Sequence, residues 1–216
     1  MLVEIWSDIV CPWCAVGRAR FVKALSTFEH RDEVEIRLRS FELDPNAPAL
    51  RTGSMAEHLS KKYGMSVEEA QRSNDHLEEV AALDGVEIHF GKMQAGNTFD
   101  AHRLLHLAHD HGCQLELNEE FLHAVFRDGR AIGDVTVLAE IAASVGLDMA
   151  EVSDVLASDR YADAVRDDEM RASELDITGV PFFLIEGRYG IPGAQSVERF
   201  ALALDKAWEK VTEAAS

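Results

Sequence analysis

The amino-acid sequence predicts an α/β fold, with a β-α-β unit at its start, a β-β-α unit at its end and a long helical block between them. Three observations support this prediction. Residues 2–6 and 33–43 alternate between apolar and charged side chains, as half-buried strands do, and a helical pattern separates them. Helical periodicity then dominates residues 55–175. Two short apolar runs joined by a glycine-containing turn follow.

The first unit begins with the strand Leu2–Trp6. After Cys11, apolar residues recur at helical spacing, which predicts a helix from Pro12 to Glu29. The second strand lies in EVEIRLRSFEL, and the two prolines of the following DPNAPAL break it and mark an exit from the domain. Parallel strands need a crossover connection, and the predicted helix supplies one.

The helical block consists of predicted helices separated by short, mostly glycine-containing turns. Ser66 followed by Glu69 is a capping-box pattern, and Asn118 and Asp134 are capping residues at two other helix starts. The predicted helices are Met55–Tyr63, Val67–Leu83, Thr98–His111, Asn118–Phe126, Val135–Val145, Met149–Ala157 and Tyr161–Leu175.

The last unit is a hairpin followed by a helix. VPFFLIEGRYGIPGA predicts two short strands that turn at Glu186-Gly187, and a helix over Val197–Val211 follows Ser196 as its cap. The order β-α-β … β-β-α is that of the thioredoxin fold, here interrupted by a large all-helical insertion domain.

This order also predicts the domain limits. We expect a discontinuous thioredoxin-fold domain made of residues 1–48 and 176–216, and a helical insertion domain made of residues 49–175.

The composition argues against several kinds of partner. The 39 acidic and 21 basic residues give a net charge of −18, which disfavours binding to nucleic acid and to anionic membranes. No apolar run approaches the roughly 18 residues that a membrane helix needs. The start of the chain does not resemble a secretory signal. We therefore expect a cytoplasmic protein, either a monomer or a homodimer.

The chemistry is concentrated in WSDIVCPWCAVG, where Cys11 and Cys14 flank Pro12 and Trp13. Cys11 lies where a strand ends and a helix begins, so the unpaired N–H groups and the dipole of the first helical turn favour its thiolate. Residues three apart on a helix are close enough to form a disulfide. We predict that Cys11 is an exposed nucleophile and that Cys14, partly buried one turn later, resolves the mixed disulfide.

Two other interpretations of the cysteine pair stay open at this point. A metal site needs about four ligands, and beyond this pair only Cys113 and the nine histidines are obvious candidates. Two inert buried thiols are the other alternative, although Pro12 is typical of a helix terminus rather than of a core. We expect no metal, and we expect Cys113 to be a free structural thiol.

Four stretches, spread in order over nearly the whole chain, occur in a known family. They are WSDIVCPWC, SFELDP, NTFDAHRLLHLA and GVPFFLIEGRYGIPGAQ. With them the chain resembles the DsbA-like branch of the thioredoxin superfamily and, within it, the FrnE-like oxidoreductases. The resemblance implies that Cys11 attacks, that Cys14 resolves, and that Pro12 and Trp13 tune the redox potential.

The resemblance also assigns residues outside this motif. Pro181 matches the cis-proline that lies against the active-site sulfurs in this superfamily, and Val180 would then offer its backbone N–H and C=O to an extended substrate. Many members carry a buried carboxylate on the first strand, six residues before the attacking cysteine. Ile5 occupies that position here, so the proton acceptor for Cys14 is either Asp8 or water.

Other polar residues have two interpretations each. The resemblance implies that Asn97 caps a helix near the mouth of the active site, and a simple cap is the other interpretation. Gln195 either bonds a substrate backbone or caps the last helix. His102, His106 and His109 share one helical face, which is either a metal site or a polar face.

The leading hypothesis is a cytosolic thiol–disulfide oxidoreductase or disulfide isomerase. It would act on protein or small-molecule thiols and disulfides through a Cys11–Cys14 redox-active disulfide, without a bound cofactor. One alternative is a glutathione-dependent isomerase of small aromatic substrates, because FrnE-like sequences resemble the 2-hydroxychromene-2-carboxylate isomerases; glutathione is therefore a candidate co-substrate. The other alternative is a chaperone-like binding protein.

Overall fold

A computed structural model describes residues 1–215 and divides the chain into two compact units. The sheet unit consists of Met1–Leu43 together with the chain from Val165 onwards, and the helical unit is Asp44–Ala164. In chain order, the strands and helices are β1 (Leu2–Ser7), α1 (Pro12–Ser26), β2 (Glu35–Ser40), α2 (Met55–Tyr63), α3 (Val67–Leu83), α4 (Phe99–Asp110), α5 (Gln114–Leu122), α6 (Val135–Ser144), α7 (Met149–Ala157), α8 (Ala162–Glu174), β3 (Phe182–Ile185), β4 (Tyr189–Pro192) and α9 (Val197–Ala215).

The sheet has the strand order β2-β1-β3-β4. Strand β1 is parallel to β2 and antiparallel to β3, and β3 and β4 form the predicted antiparallel hairpin. Helix α1 connects the parallel pair, and α9 follows the hairpin. The β-α-β and β-β-α halves therefore share one sheet, which confirms the predicted thioredoxin fold with its helical insertion.

One face of β1 packs against α1 and α9. Ile5 lies opposite Phe183 of β3 in the sheet register. The Phe183 ring packs against Phe21 of α1 at 5.3 Å and against Phe200 of α9 at 4.6 Å between ring centroids. Since side chains alternate along a strand, the odd-numbered residues of β1 face these two helices.

The opposite face of β1 packs against α8 through buried charges. Glu4 accepts hydrogen bonds from Arg39 of β2 (2.9 Å) and from Arg171 of α8 (2.7 Å). Arg39 also donates to Asp168 (2.8 Å), whose second carboxylate oxygen accepts the N–H of Ser40 (2.9 Å). These contacts explain why most of α8 belongs to the sheet unit. The domain limits expected from the sequence, at residues 48 and 176, stay a prediction.

Several predicted boundaries are wrong, among them the end of α1, at Ser26 rather than Glu29, and the end of α9, at Ala215 rather than Val211. Two others are wrong for local reasons. Strand β2 ends at Ser40 because the N–H of Leu43 donates to the Asp8 carboxylate (2.8 Å) rather than to a strand. Helix α5 begins at Gln114, because the carbonyl of Cys113 already accepts the N–H of Leu117 (3.0 Å).

The predicted cap at Asn118 is therefore wrong as well, since Asn118 is buried inside α5. The predicted caps at Ser66 and Asp134 are confirmed: Ser66 and Glu69 form a capping box, and the Asp134 side chain accepts the N–H of Thr136 (2.8 Å). Among residues 1–215, no helix is both long and apolar enough to cross a membrane.

Candidate active site

The turn after β1 places Cys11 at the start of α1. The Cys11 N–H donates to the carbonyl of Asp8 (3.2 Å), and its backbone is extended, with φ −92° and ψ 110°. Pro12 is the first helical residue, and the Cys11 carbonyl accepts the N–H groups of Cys14 (3.0 Å) and Ala15 (3.3 Å). Cys11 is thus the N-cap residue, and the positive end of the helix dipole lies at its side chain.

The two cysteines are free thiols, and Cys14 lies in the first turn of the helix that Cys11 begins. Burial is the largest cause that raises the pKa of Cys14 well above its usual value, and the hydrogen bond and charge of Cys11 raise it further. Hydrogen-bonding groups of the Asp8 backbone and the Ser7 side chain act in the opposite direction and lower this pKa. In the free dithiol, Cys14 therefore keeps its proton.

The predicted exposure of Cys11 is wrong. Its residue surface is 5% exposed and that of Cys14 is 2% exposed, so both thiols are buried. The cause is the segment before β3: the Cys11 thiol lies 3.7 Å from the carbonyl of Val180, to which it donates. Trp13, between the cysteines in sequence, is 42% exposed and is the accessible side chain of the motif.

The Val180–Pro181 peptide bond is cis, as the resemblance implied. The carbonyl of Pro181 accepts the N–H of Gly193 (2.8 Å), which ties this segment to the turn after β4. Val180, which is predicted to bind substrate, thus lies next to the Cys11 sulfur.

Helix α1 approaches this segment closely at Gly17. A Cβ atom added at Gly17 would lie 2.8 Å from Cγ of Pro181 and 3.3 Å from Cα of Ala194. One turn later, the Arg20 guanidinium donates to the carbonyl of Ala194 (2.8 Å). Gly17 therefore lies against the Pro181 segment that borders Cys11, and Gly17 and Arg20 both contact Ala194, roles that were not predicted from the sequence. A glycine inside an apolar helical run was the available signal, since glycine weakens a helix interior.

Gln195 is engaged in the same turn. Its side-chain amide donates to the carbonyl of Pro192 (2.6 Å), and its side-chain oxygen accepts a hydrogen bond from Arg199 of α9 (2.8 Å). Gln195 thus links the turn after β4 to α9 through these two hydrogen bonds. A contact between Gln195 and substrate stays a prediction.

The first-strand carboxylates have distinct surroundings. Ile5 faces α1, whereas Glu4 faces α8 and pairs with two arginines. Asp8 is buried, and one of its carboxylate oxygens accepts the N–H of Leu43 (2.8 Å). The Asp8 carbonyl accepts the N–H of Cys11 (3.2 Å), so Asp8 lies at the site, and its role as proton acceptor stays a prediction.

Asn97 belongs to the helical unit, where its side chain has two partners. Its oxygen accepts the N–H of Phe99, the first residue of α4 (2.9 Å), and its amide donates to the carbonyl of Pro45 (3.3 Å). The Asn97 side chain therefore provides an acceptor for a backbone N–H in the first turn of α4. A contact between Asn97 and substrate stays a prediction.

The three histidines of α4 do not form a metal site in the described residues. No group of three or more histidine, cysteine or acidic side chains within residues 1–215 is arranged to hold a metal ion. His102 and His106 are buried, and the His106 ring stacks on Tyr161 with 6.3 Å between ring centroids.

Comparison with known proteins gives a consistent assignment. The family model for a DSBA-like thioredoxin domain matches residues 2–205. The uncharacterized protein YwbO of Bacillus subtilis is 32% identical over 211 residues, which is 96% of this chain and 98% of that protein. The crystal structure of a probable DsbA oxidoreductase from Streptomyces coelicolor is 48% identical, with a TM-score of 0.92 over 97% of this chain and 90% of that chain.

Two more distant structures share the fold. A 2-hydroxychromene-2-carboxylate isomerase has a TM-score of 0.71 at 16% identity and covers 100% of both chains. The cytosolic disulfide reductase DsbM from Pseudomonas aeruginosa, solved with GSH, has a TM-score of 0.68 at 16% identity over 97% of this chain and 100% of that chain. With the family model matching almost the whole chain, this protein belongs to the DsbA-like thioredoxin-domain family of thiol–disulfide oxidoreductases.

Proposed function

We propose that this protein exchanges disulfides with protein and small-molecule thiols, and that Cys11 and Cys14 are its redox centre. The observation that carries the proposal is the asymmetry of the pair. Cys11 is the N-cap residue of α1, at the positive end of the helix dipole, whereas burial and the neighbouring Cys11 raise the pKa of Cys14. Cys11 is thus the sulfur proposed to attack first, and Cys14 the sulfur that reacts second.

The first step is attack by the Cys11 thiolate on a substrate disulfide. The substrate S–S bond breaks, a Cys11–substrate disulfide forms, and one substrate sulfur leaves as a thiolate that takes up a proton. Two of the three causes that raise the pKa of Cys14 are the hydrogen bond and the charge of Cys11. Both weaken once Cys11 is in a disulfide, so the first step lowers the pKa of Cys14.

The second step is attack by Cys14 on the Cys11 sulfur. Cys14 loses its proton to Asp8 or to water, the Cys11–Cys14 disulfide forms, and the second substrate thiol is released. The sum is one substrate disulfide reduced and one enzyme dithiol oxidised. The reverse sequence oxidises substrate dithiols, and release after the first step permits isomerisation.

Substrate would bind along the segment that borders Cys11. The Val180 carbonyl is beside the sulfur, and an extended peptide paired with the Val180 backbone would bring its own disulfide to Cys11. The exposed Trp13 ring adds an apolar contact surface, and Gln195 and Asn97 are the other proposed substrate contacts. Pro12 and Trp13 set the redox potential of the pair.

We further propose a cytoplasmic location and glutathione as a co-substrate. Three cysteines, of which two form the redox pair, leave no structural disulfide framework, as is usual in reducing compartments. The structural neighbour DsbM is named as a cytosolic disulfide reductase and was solved with GSH. Fractionation of cells and redox titration of the purified protein against glutathione test these two points.

Insulin reduction by purified variants tests the mechanism. Cys11→Ser is expected to abolish activity, and Cys14→Ala is expected to accumulate a mixed disulfide that mass spectrometry detects. Cys113→Ser is the matched control and is expected to keep full activity. Reductase activity that survives Cys11→Ser would show that the proposed redox centre is wrong.

A glutathione-dependent isomerase and a chaperone make different predictions. Isomerase turnover would survive Cys14→Ala, because the substrate bond that changes is not a disulfide. Suppression of aggregation would survive loss of both cysteines. Cytoplasmic trapping with Cys14→Ala, followed by identification of the captured chains, distinguishes protein substrates from small thiols.

A further inference from the structure

Two sets of contacts hold the Val180–Pro181 segment beside Cys11. The Val180 carbonyl lies 3.7 Å from the Cys11 sulfur. The carbonyl of Pro181 accepts the N–H of Gly193 (2.8 Å), in the turn after β4. The Val180 side chain packs against a buried apolar cluster, which consists of Trp6, Ala172, Ile177 and Leu184. The position of the Val180 carbonyl therefore depends on this cluster and on the turn that contains Gly193.

Arg20 links that turn to α1, the helix that begins at Cys11. Its partly buried guanidinium donates to the carbonyl of Ala194 in the turn (2.8 Å). Gly17, one turn earlier on α1, lets the helix approach closely, because an added Cβ would lie 2.8 Å from Pro181 and 3.3 Å from Cα of Ala194. A hydrogen bond from a charged donor is stronger than one between neutral groups. Arg20 thus supplies a charge-assisted link between the helix that carries the sulfur and the turn that holds the segment beside it.

We propose that Arg20 is a positioning residue for substrate binding, which keeps the Val180–Pro181 segment against Cys11 and so determines the affinity for extended peptide disulfides. The inference rests on the proposed function, in which a peptide pairs with the Val180 backbone while its sulfur meets Cys11. A peptide makes both contacts only if the segment and the sulfur keep a fixed separation. A small disulfide needs the sulfur alone, so its reaction does not require Arg20.

Oxidation of the reduced protein under excess disulfide measures binding and reaction separately. Protein in the Cys113→Ser background is mixed with a short peptide that is dimerised through its single cysteine, and the reaction is quenched with acid. Mass spectrometry then quantifies the remaining dithiol form. The dependence of the rate on peptide concentration gives a half-saturating concentration and a maximal rate. Bis(hydroxyethyl) disulfide is the small substrate for comparison.

Arg20→Met removes the charged donor and keeps an unbranched side chain that suits a helix. It is expected to raise the half-saturating peptide concentration about tenfold, as loss of one charge-assisted hydrogen bond predicts, and to leave the maximal rate within about twofold. The rate with bis(hydroxyethyl) disulfide should not fall. Lys23→Met, which removes an exposed positive charge from the same helix, is the matched control and should change none of these quantities.

Alkylation by iodoacetamide gives a second readout of the same contact. The Cys11 thiol is covered by Val180 and is 5% exposed. A looser segment in Arg20→Met should speed alkylation of Cys11 and leave that of Cys14 unchanged, and peptide mapping by mass spectrometry separates the two cysteines. Equal acceleration at both cysteines would mean that the whole site has opened, and it would overturn the specific role of Arg20.

Arg20→Lys keeps a charged donor on a shorter side chain and provides a second variant, should methionine destabilise the protein. Its half-saturating peptide concentration is expected to lie between those of the wild type and Arg20→Met. Equal half-saturating concentrations for both Arg20 variants and for Lys23→Met would overturn the inference while leaving the proposed function intact. Oxidation of the peptide substrate's partner site that survives Cys11→Ser would instead overturn the proposed function, and this inference with it.

Discussion

The two faces of β1 both bury groups that water would solvate, and they do so in different ways. On the α8 face, the Glu4 carboxylate is paired with the guanidinium groups of Arg39 and Arg171. On the α1 face, Cys14 is buried, and burial together with Cys11 raises its pKa. Full charge pairing makes a structural contact, whereas partial compensation leaves a group whose protonation can change during a reaction.

The largest expected effect comes from breaking the charge pairing on the α8 face. Glu4→Gln leaves Arg39 and Arg171 without their buried carboxylate and is expected to lower the free energy of unfolding by about 3–5 kcal/mol. Urea unfolding of the reduced protein measures this. Glu35→Gln, at an exposed position on β2, is the control and should stay within about 0.5 kcal/mol of the wild type. A Glu4→Gln loss as small as that of the control would contradict the structural role of Glu4.

A smaller effect is expected where α1 meets the Pro181 segment. Alanine usually stabilises a helix interior relative to glycine by about 1 kcal/mol. At Gly17, however, the added Cβ would lie 2.8 Å from Pro181, so Gly17→Ala is expected to destabilise the protein by about 1–3 kcal/mol. Urea unfolding measures this change, and a lower free energy of unfolding for Gly17→Ala would show that the close contact outweighs the helix propensity of alanine.

Gly91→Ala is the control for this substitution, because no neighbouring atom lies within 4 Å of its added Cβ. It is expected to change stability little. If Gly17→Ala stabilised the protein, the close contact between α1 and Pro181 would be wrong.

The smallest expected effect is a pH dependence that belongs to the α1 face. Burial and Cys11 raise the pKa of Cys14 in the folded state, so the folded protein keeps a proton that the unfolded chain loses. This contribution to stability is complete below the usual thiol pKa of roughly 8.5 and is lost as pH rises toward the folded-state pKa. The free energy of unfolding of the reduced protein should therefore fall above that pH, by up to about 1.4 kcal/mol per pH unit.

Urea unfolding at a series of alkaline pH values measures this fall. Cys14→Ala should reduce it, whereas Cys113→Ser should retain the part that comes from Cys14. Identical curves for the wild type and Cys14→Ala would mean that the folded environment does not disfavour ionisation of Cys14.

Local patterns in the sequence were sufficient to predict the elements of the site that depend on neighbours along the chain. The Cys-Pro-Trp-Cys spacing predicted the helix start at Cys11, because a proline at the first helical position and a three-residue separation fix the geometry locally. Alternation predicted that Glu4 and Ile5 face opposite sides of β1, and the contacts of both residues agree with this.

The remainder of the site depends on contacts between distant parts of the chain. The Cys11 thiol is covered by Val180, which lies 169 residues further along the chain. Likewise, Leu43 lies outside β2 because its N–H donates to the Asp8 carboxylate. The alternation of apolar and charged residues does not predict this contact. Such contacts join residues that no periodic pattern relates.

The link between β2 and α8 has a consequence for the architecture. Ser40 and Asp168 are hydrogen-bonded, and Glu42 and Arg166 form an ion pair (2.6 Å), so the chain leaves the sheet unit and returns to it at adjacent points. A short flexible connector between residues 43 and 165 would therefore span the gap without pulling the sheet apart.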